Sequence, residues 1–312
     1  LAIKLTDNIK KQLIQKTEVI FAYLDKRKIP GYKKVSILEI GKIFYKGLMD
    51  GALATRASSI AFKIFLAVFP AIIFVFTLIP YIPIDNFQDI LLSFLKDLMP
   101  QEAYLTVKDT VIDVATRKQG ELLSIGFLAA MYFATNGISG IIAAFNSTTL
   151  VLETRSWVQQ QIISIILVLV ITILVTLAIS VTVFSGLVIN YLVNFGILKI
   201  DFTYYLLFFA KWVIIIALFY FAIAFMYYFA PAGKRKIKLF SLGSVIATAL
   251  TILISVGFSY YVNNFGQYNK LYGSIGTLIV VLMWMYFNSL ILLIGFELNI
   301  SIENAESKKK LP

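Results

Sequence analysis

The sequence predicts an all-α polytopic membrane protein with six transmembrane helices. Three observations carry this prediction. The 312 residues are 59% hydrophobic and only 14% charged, against about a quarter charged in an ordinary soluble domain. The mean hydropathy is +0.85. The apolar residues also fall into long blocks, each of about 20 residues or more, enough to cross a hydrocarbon core of about 30 Å. Disorder is excluded, because disordered chains are poor in apolar residues.

The six blocks lie at 57–83, 122–149, 161–192, 203–229, 240–262 and 274–300. The third is the longest, and it either projects past the membrane or bends near Gly186. Before the first block, residues 1–56 form a charged segment with loosely helical apolar spacing at Ile9, Leu13, Val19, Ile20 and Leu24. Pro30-Gly31 breaks that pattern. A second helix is expected from about Ser36, with Ile37, Ile40, Phe44 and Leu48 on one face. The expectation is two cytoplasmic or interfacial amphipathic helices. Between the first two blocks, residues 84–121 are acidic and carry apolar residues at helical spacing on both sides of Pro100. They are expected to form an external helical cap. The membrane domain is set at 57–302, followed by a basic cytoplasmic tail at 303–312.

Charge fixes the expected orientation. With the N-terminus cytoplasmic, 20 of the 28 Lys and Arg residues fall on the cytoplasmic side, including Arg56, Arg155 and Lys234-Arg235-Lys236-Ile237-Lys238. Six fall outside, and Lys63 and Lys211 lie within spans. This satisfies the positive-inside rule and places both termini in the cytoplasm. The net charge of +11 therefore reports topology, with anionic membrane lipids as natural partners. A nucleic-acid arm is disfavoured, since the basic residues lack aromatic interleaving. The first apolar block begins too late for a cleavable signal peptide.

Composition also restricts chemistry. The chain contains no His and no Cys, which removes Ser-His-Asp triads, thiolate nucleophiles and His- or Cys-ligated metals. The acids are scattered, and no phosphate-binding or dinucleotide-binding glycine motif occurs. No catalytic residue, metal or cofactor is expected.

Polar residues inside spans are costly and mark positions of interest. In the fifth span Ser244, Thr248, Thr251, Ser255 and Ser259 form one helix face. Thr172 and Thr176 repeat in the third span, and Asn136 opens a small polar patch in the second. Small and hydroxyl residues also permit close helix packing, so these faces either line a path or join helices. Lys63, Lys211 and Glu297 are the ionisable residues in or near spans, and a Lys63–Glu297 pair is geometrically possible. The candidate substrate path is thus Lys63, Asn136, Thr172, Thr176, Lys211, Thr248, Thr251 and Glu297. Pro70 is expected to kink the first span. Gly273 and Gly276 allow close approach or a flexible entry to the last span, beside Tyr272 at the interface.

Several of these stretches resemble one family. Arg56-Ala57-Ser58-Ser59-Ile60-Ala61-Phe62-Lys63, running on to Pro70, is similar to the first-span signature of the YihY/BrkB membrane proteins. The resemblance continues at Asn136-Gly137, at Ala144-Phe145-Asn146 and at Tyr228-Phe229-Ala230-Pro231. It is closest at Tyr272-Gly273-Ser274-Ile275-Gly276, Trp284-Met285-Tyr286 and Gly295-Phe296-Glu297-Leu298-Asn299. Lys63 departs from the pattern, where members often carry an uncharged residue. The resemblance implies six spans in a bacterial inner membrane, with Asn146, Pro231 and Gly295 as motif residues. It implies a transporter or envelope factor acting on lipid or other envelope material. An older family label, ribonuclease BN, implies RNA cleavage, for which the residues supply no general base or metal cluster. The expected function is non-enzymatic translocation of an amphipathic or anionic substrate. The alternatives are an envelope scaffold and, last, a membrane nuclease.

Overall fold

The structure, a computed structural model, describes residues 28–29, 32–50, 52–78, 120–147, 155–195, 202–232, 238–264 and 274–308. The expected external cap at 84–121, save its last two residues, and the helical spacing at 9–24 lie outside the described residues. So do Tyr272, Gly273 and the last four residues of the tail.

Among the described residues the fold is seven helices and one short hairpin. Strands β1 (Lys28–Ile29) and β2 (Tyr32–Ser36) pair antiparallel. The hairpin falls at the expected break between the two N-terminal helices, an element the sequence reading does not include. In sequence, Pro30-Gly31 stands between the two strands, at that break. Helix α1 (Ile37–Asp50) follows directly, N-capped by Ser36, whose Oγ accepts from the Glu39 amide at 3.2 Å. Ala52 takes a positive φ of 45°, which turns the chain sharply into the first span.

The six spanning helices are α2 (Leu53–Leu78), α3 (Gly120–Asn146), α4 (Trp157–Asn194), α5 (Phe202–Phe229), α6 (Leu242–Asn264) and α7 (Ser274–Lys308). All six are long and apolar enough to cross a membrane. Helix α2 runs unbroken through Pro70, and α4 runs unbroken through Gly186. At 38 residues and about 1.5 Å per residue, α4 is about 57 Å long and extends beyond a 30 Å core. Its start is a capping box. Ser156 Oγ accepts from the Gln159 amide, and Gln159 Oε1 accepts from the Ser156 amide.

Each spanning helix packs on the next in chain order, and α7 returns to α2, closing a ring. The packing is uneven along the ring's axis. Among the described residues the buried apolar side chains gather at one end, where α2, α4 and α6 begin and α3, α5 and α7 finish. The connections at this end carry Arg155 and Lys234–Lys238, so it is called the basic end below. Three rings from alternate helices fill its centre. Phe145 and Phe296 stack at 4.3 Å, and Tyr227 meets Phe145 edge-on at 5.6 Å. The end of α7 continues past the span. There Ile302 and Ala305 bury against Ile40 of α1.

Glycine sets the closest helix pair. A side chain at Gly243 of α6 would collide with the Gly295 carbonyl of α7, and one at Gly295 would collide with the Tyr227 hydroxyl. The missing side chains let the two backbones touch. Gly257, also on α6, faces open space. Gly295→Val should therefore lower the detergent melting temperature strongly or prevent monodisperse purification, by over-packing worth about 1–3 kcal/mol or more. Gly257→Ala should be neutral or slightly stabilising in the same fluorescence-detected chromatography.

Candidate functional site

The ring is tied at its basic end by one buried ion pair. Arg56 stands in the first turn of α2 and Glu297 in the last third of α7. Both are buried, at 9% and 0% side-chain exposure. Arg56 Nη1 donates to Glu297 Oε1 at 3.0 Å. Nη2 donates to the Ala144 carbonyl near the end of α3. On the other side, α1 presents Gly47, where an added Cβ would lie 3.0 Å from Glu297 Oε2. One carboxylate and one guanidinium thus hold α2, α3 and α7 together under α1.

Further hydrogen bonds surround this pair. Asn146 Oδ1 accepts from the Ala232 amide at 2.9 Å, joining the end of α3 to the end of α5. Arg155 Nη2 donates to the Ala230 carbonyl at 2.7 Å, a cation at a helix C-terminus. Asn299 accepts from the Gly243 amide at 2.8 Å and donates to Ser241 Oγ at 2.9 Å. It thereby anchors the start of α6 to α7. The Tyr227 hydroxyl donates to the Leu292 carbonyl at 2.7 Å.

The cation facing Glu297 is therefore Arg56, two helical turns before Lys63. Lys63 is half-buried and runs across Gly140 of α3, where a Cβ would come within 2.5 Å of its Cδ. Asn136 is half-buried on α3. Thr248 and Thr251 are buried on α6, and Thr248 Oγ1 donates back to the Ser244 carbonyl at 2.8 Å. Thr172 and Thr176 lie on an exposed face of α4, on the side of that helix away from its buried Ser164 and Leu167. The structure does not bring them together with Lys63 or Glu297. Lys211 sits on α5 with its Nζ 4.9 Å from the Phe208 ring centre and 5.6 Å from that of Trp212. Of the motif residues, Gly276 is buried in the first turn of α7, and Pro231 lies just beyond α5.

Sequence reasoning missed Arg56, which it counted among surface charges. The available signal was its position one residue before the small-residue run of the first span. It also missed Asn299, which lies on the same stretch as Glu297.

Between α5 and α6 the ring is looser. The α5–α6 contact is the least extensive joint between successive spanning helices. Two apolar cavities flank it. One, of about 220 Å³, lies between α4, α5 and α6 and is lined by residues including Leu174, Trp212, Ile216 and Ile252. The other, of about 530 Å³, lies along α5 and α6 and is lined by residues including Tyr220, Phe240, Thr248 and Ile252. Ile216 and Ile252 line both, so the two cavities meet at the seam.

These features define a polytopic membrane protein whose six-helix ring is locked at one end and looser along one seam. Within that class the chain belongs to the BrkB family: the family described as Virulence factor BrkB matches residues 44–312. It is 30% identical over 266 residues to YfkH of Bacillus subtilis (strain 168), a protein named as ribonuclease-like, covering 83% of this chain and 92% of that one. It is 22% identical over 271 residues to a UPF0761 membrane protein of Haemophilus influenzae (strain 86-028NP), covering 85% and 95%. No solved structure matches it.

Removing one member of a buried pair strands the other charge, at about 3–5 kcal/mol. Arg56→Gln and Glu297→Gln should each lower the melting temperature in detergent sharply. The double Arg56→Met, Glu297→Met variant should recover much of the loss. Equal melting of wild type and both single variants would show that the pair does not hold the bundle.

Proposed function

We propose that the protein moves an amphipathic or anionic substrate across or within the membrane, with the α5–α6 seam as its lateral opening. The observation that carries this reading is the pair of apolar cavities meeting at Ile216 and Ile252 on the least extensive joint of the ring. A cavity open towards lipid and lined by aliphatic and aromatic side chains suits an acyl chain or another apolar moiety. Lys211, an intramembrane cation whose Nζ lies over the Trp212 ring of the cavity wall, suits an anionic group.

The reading places the protein in the bacterial inner membrane with both termini cytoplasmic. The support is the concentration of Lys and Arg at one end of the ring. It is also non-enzymatic and involves no nucleic acid. The chain has no His or Cys, and among the described residues no three or more acids cluster as metal ligands would. The ribonuclease-like name of the Bacillus relative is therefore not carried over.

The chain's lack of cysteine makes the seam directly testable. Cysteines introduced together as Ile216→Cys and Ile252→Cys can be bridged by a short reducible crosslinker. In proteoliposomes, flux of fluorescent phosphatidylglycerol or of small organic anions should stop on crosslinking and return on reduction. Flux unaffected by a completed crosslink would remove the seam from the route. Absence of flux for every candidate would favour an envelope scaffold.

A further inference from the structure

We infer that the α4–α5–α6 cavity is a binding site for an anionic phospholipid, with an acyl chain in the cavity and the phosphate at Lys211. The inference deepens the translocator reading by naming the occupant of its groove, and it rests on that reading only for its physiological meaning.

Lys211 is an intramembrane cation on α5, inside the span Thr203–Phe229. Such residues are expensive in hydrocarbon and mark sites by default. Among the described residues no carboxylate forms an ion pair with Lys211. Its compensation is aromatic: Nζ lies over both Phe208 and Trp212. Cation–π contact leaves the ammonium free to accept an anion on its other side.

Direction matters. Phe208 is one turn nearer the start of α5, so the side chain leans back towards that end, as helix geometry favours. Lys211 lies nine residues from the helix start, about 14 Å along the axis. Extension of its four-carbon stem towards that end of the helix shortens the distance from the charge to the headgroups. The cavity begins directly beneath. Trp212 lines it, and Ile215, Phe219 and Ala222 continue the same stripe of α5 away from Lys211. The opposing wall is Leu174 and Ala178 of α4. A cationic mouth above a purely apolar slot of about 220 Å³ matches one amphiphile: a chain below and a negative head above. A zwitterionic lipid offers the same chain and less net attraction.

Trp212 reports on this site. In a variant carrying Trp157→Phe and Trp284→Phe it is the remaining tryptophan, and both replaced residues are exposed. In nanodiscs, brominated phosphatidylglycerol should quench Trp212 at about fivefold lower mole fraction than brominated phosphatidylcholine, the preference expected of one basic residue near a membrane surface. Lys211→Met should reduce that ratio to about one, and Lys211→Arg should retain it. Native mass spectrometry of otherwise unaltered protein should show the same loss of phosphatidylglycerol adducts in Lys211→Met. It also covers failure of the tryptophan variant to fold. Equal quenching by the two lipids, or a preference that survives Lys211→Met, would overturn the assignment. Both readouts measure binding, so they stand apart from the crosslinking flux test. Binding without flux would sink translocation alone, and flux without preference would sink the lipid site alone.

Discussion

The rest of the bundle depends on a carboxylate held out of water. Glu297 is fully buried on an apolar helix, and an uncompensated charge there would cost several kcal/mol. Arg56 supplies both charge and direction. Its two terminal nitrogens point to different helices, one to Glu297 and one to the Ala144 carbonyl. A guanidinium can do this because its donors form a rigid fork, whereas a lysine ammonium in its place would offer no fixed geometry. The pair contributes a single permitted register among α2, α3 and α7 more than it contributes net stability. Once that register is set, Phe145 and Phe296 lie face to face and Gly295 lies against Gly243 and Tyr227. Gly47 completes the arrangement by leaving room for the second carboxylate oxygen.

The hydroxyl residues of this end need no water. Ser164, Thr248, Ser289 and Ser301 each donate to the carbonyl four residues earlier in their own helix. A hydroxyl satisfied this way presents a small, nearly apolar surface to its neighbour. Ser244 differs, since it meets Ser241 at 2.7 Å beside Asn299. The stripe Ser244, Thr248, Thr251 therefore changes character along α6, from a hydrogen-bonded knot with α7 to a compact packing face.

The six spans were legible in the sequence because an apolar run of about 20 residues has few other uses, and their limits fell within about five residues of the helices, except that α7 runs on to Lys308 past the expected end at 300. The hairpin at Lys28–Ser36 was not legible. Its strands are short, and charged residues mask any alternation, so Pro30-Gly31 read as a gap between helices. Glu297 was legible as a residue needing a partner, but the partner was not. Arg56 sits at the edge of an apolar block, where a charge ordinarily reaches water, and its burial depends on the Ala144 carbonyl of α3 and Glu297 of α7 meeting it there. Lys63, well inside the block, looked the better candidate on sequence position alone. Its stem instead packs along α3 at Gly140, a contact set by helix rotation, which spacing in one helix does not specify.

The contrast between the two parts of the ring bears on how any substrate would be handled. A path for a hydrated ion needs polar groups aimed at a common lumen. At the basic end Arg56, Glu297, Asn146, Asn299 and Ser241 hydrogen-bond with one another or with helix-end backbone, and the centre is filled by three aromatic rings. Along the α5–α6 seam the lining is aliphatic and aromatic, and its two hydroxyls are spoken for, Thr248 donating to the Ser244 carbonyl of its own helix and Tyr220 to the Leu239 carbonyl. A seam of that kind can part at low cost, since the contacts it loses are replaced by equivalent contacts with lipid tails. The ion pair cannot part on those terms, because separating it leaves two charges in hydrocarbon. On the proposed reading, motion therefore concentrates along the α5–α6 seam, while α2, α3 and α7 form the fixed frame. A lysine at the mouth of such a seam then selects for charge what the seam itself selects for apolar shape.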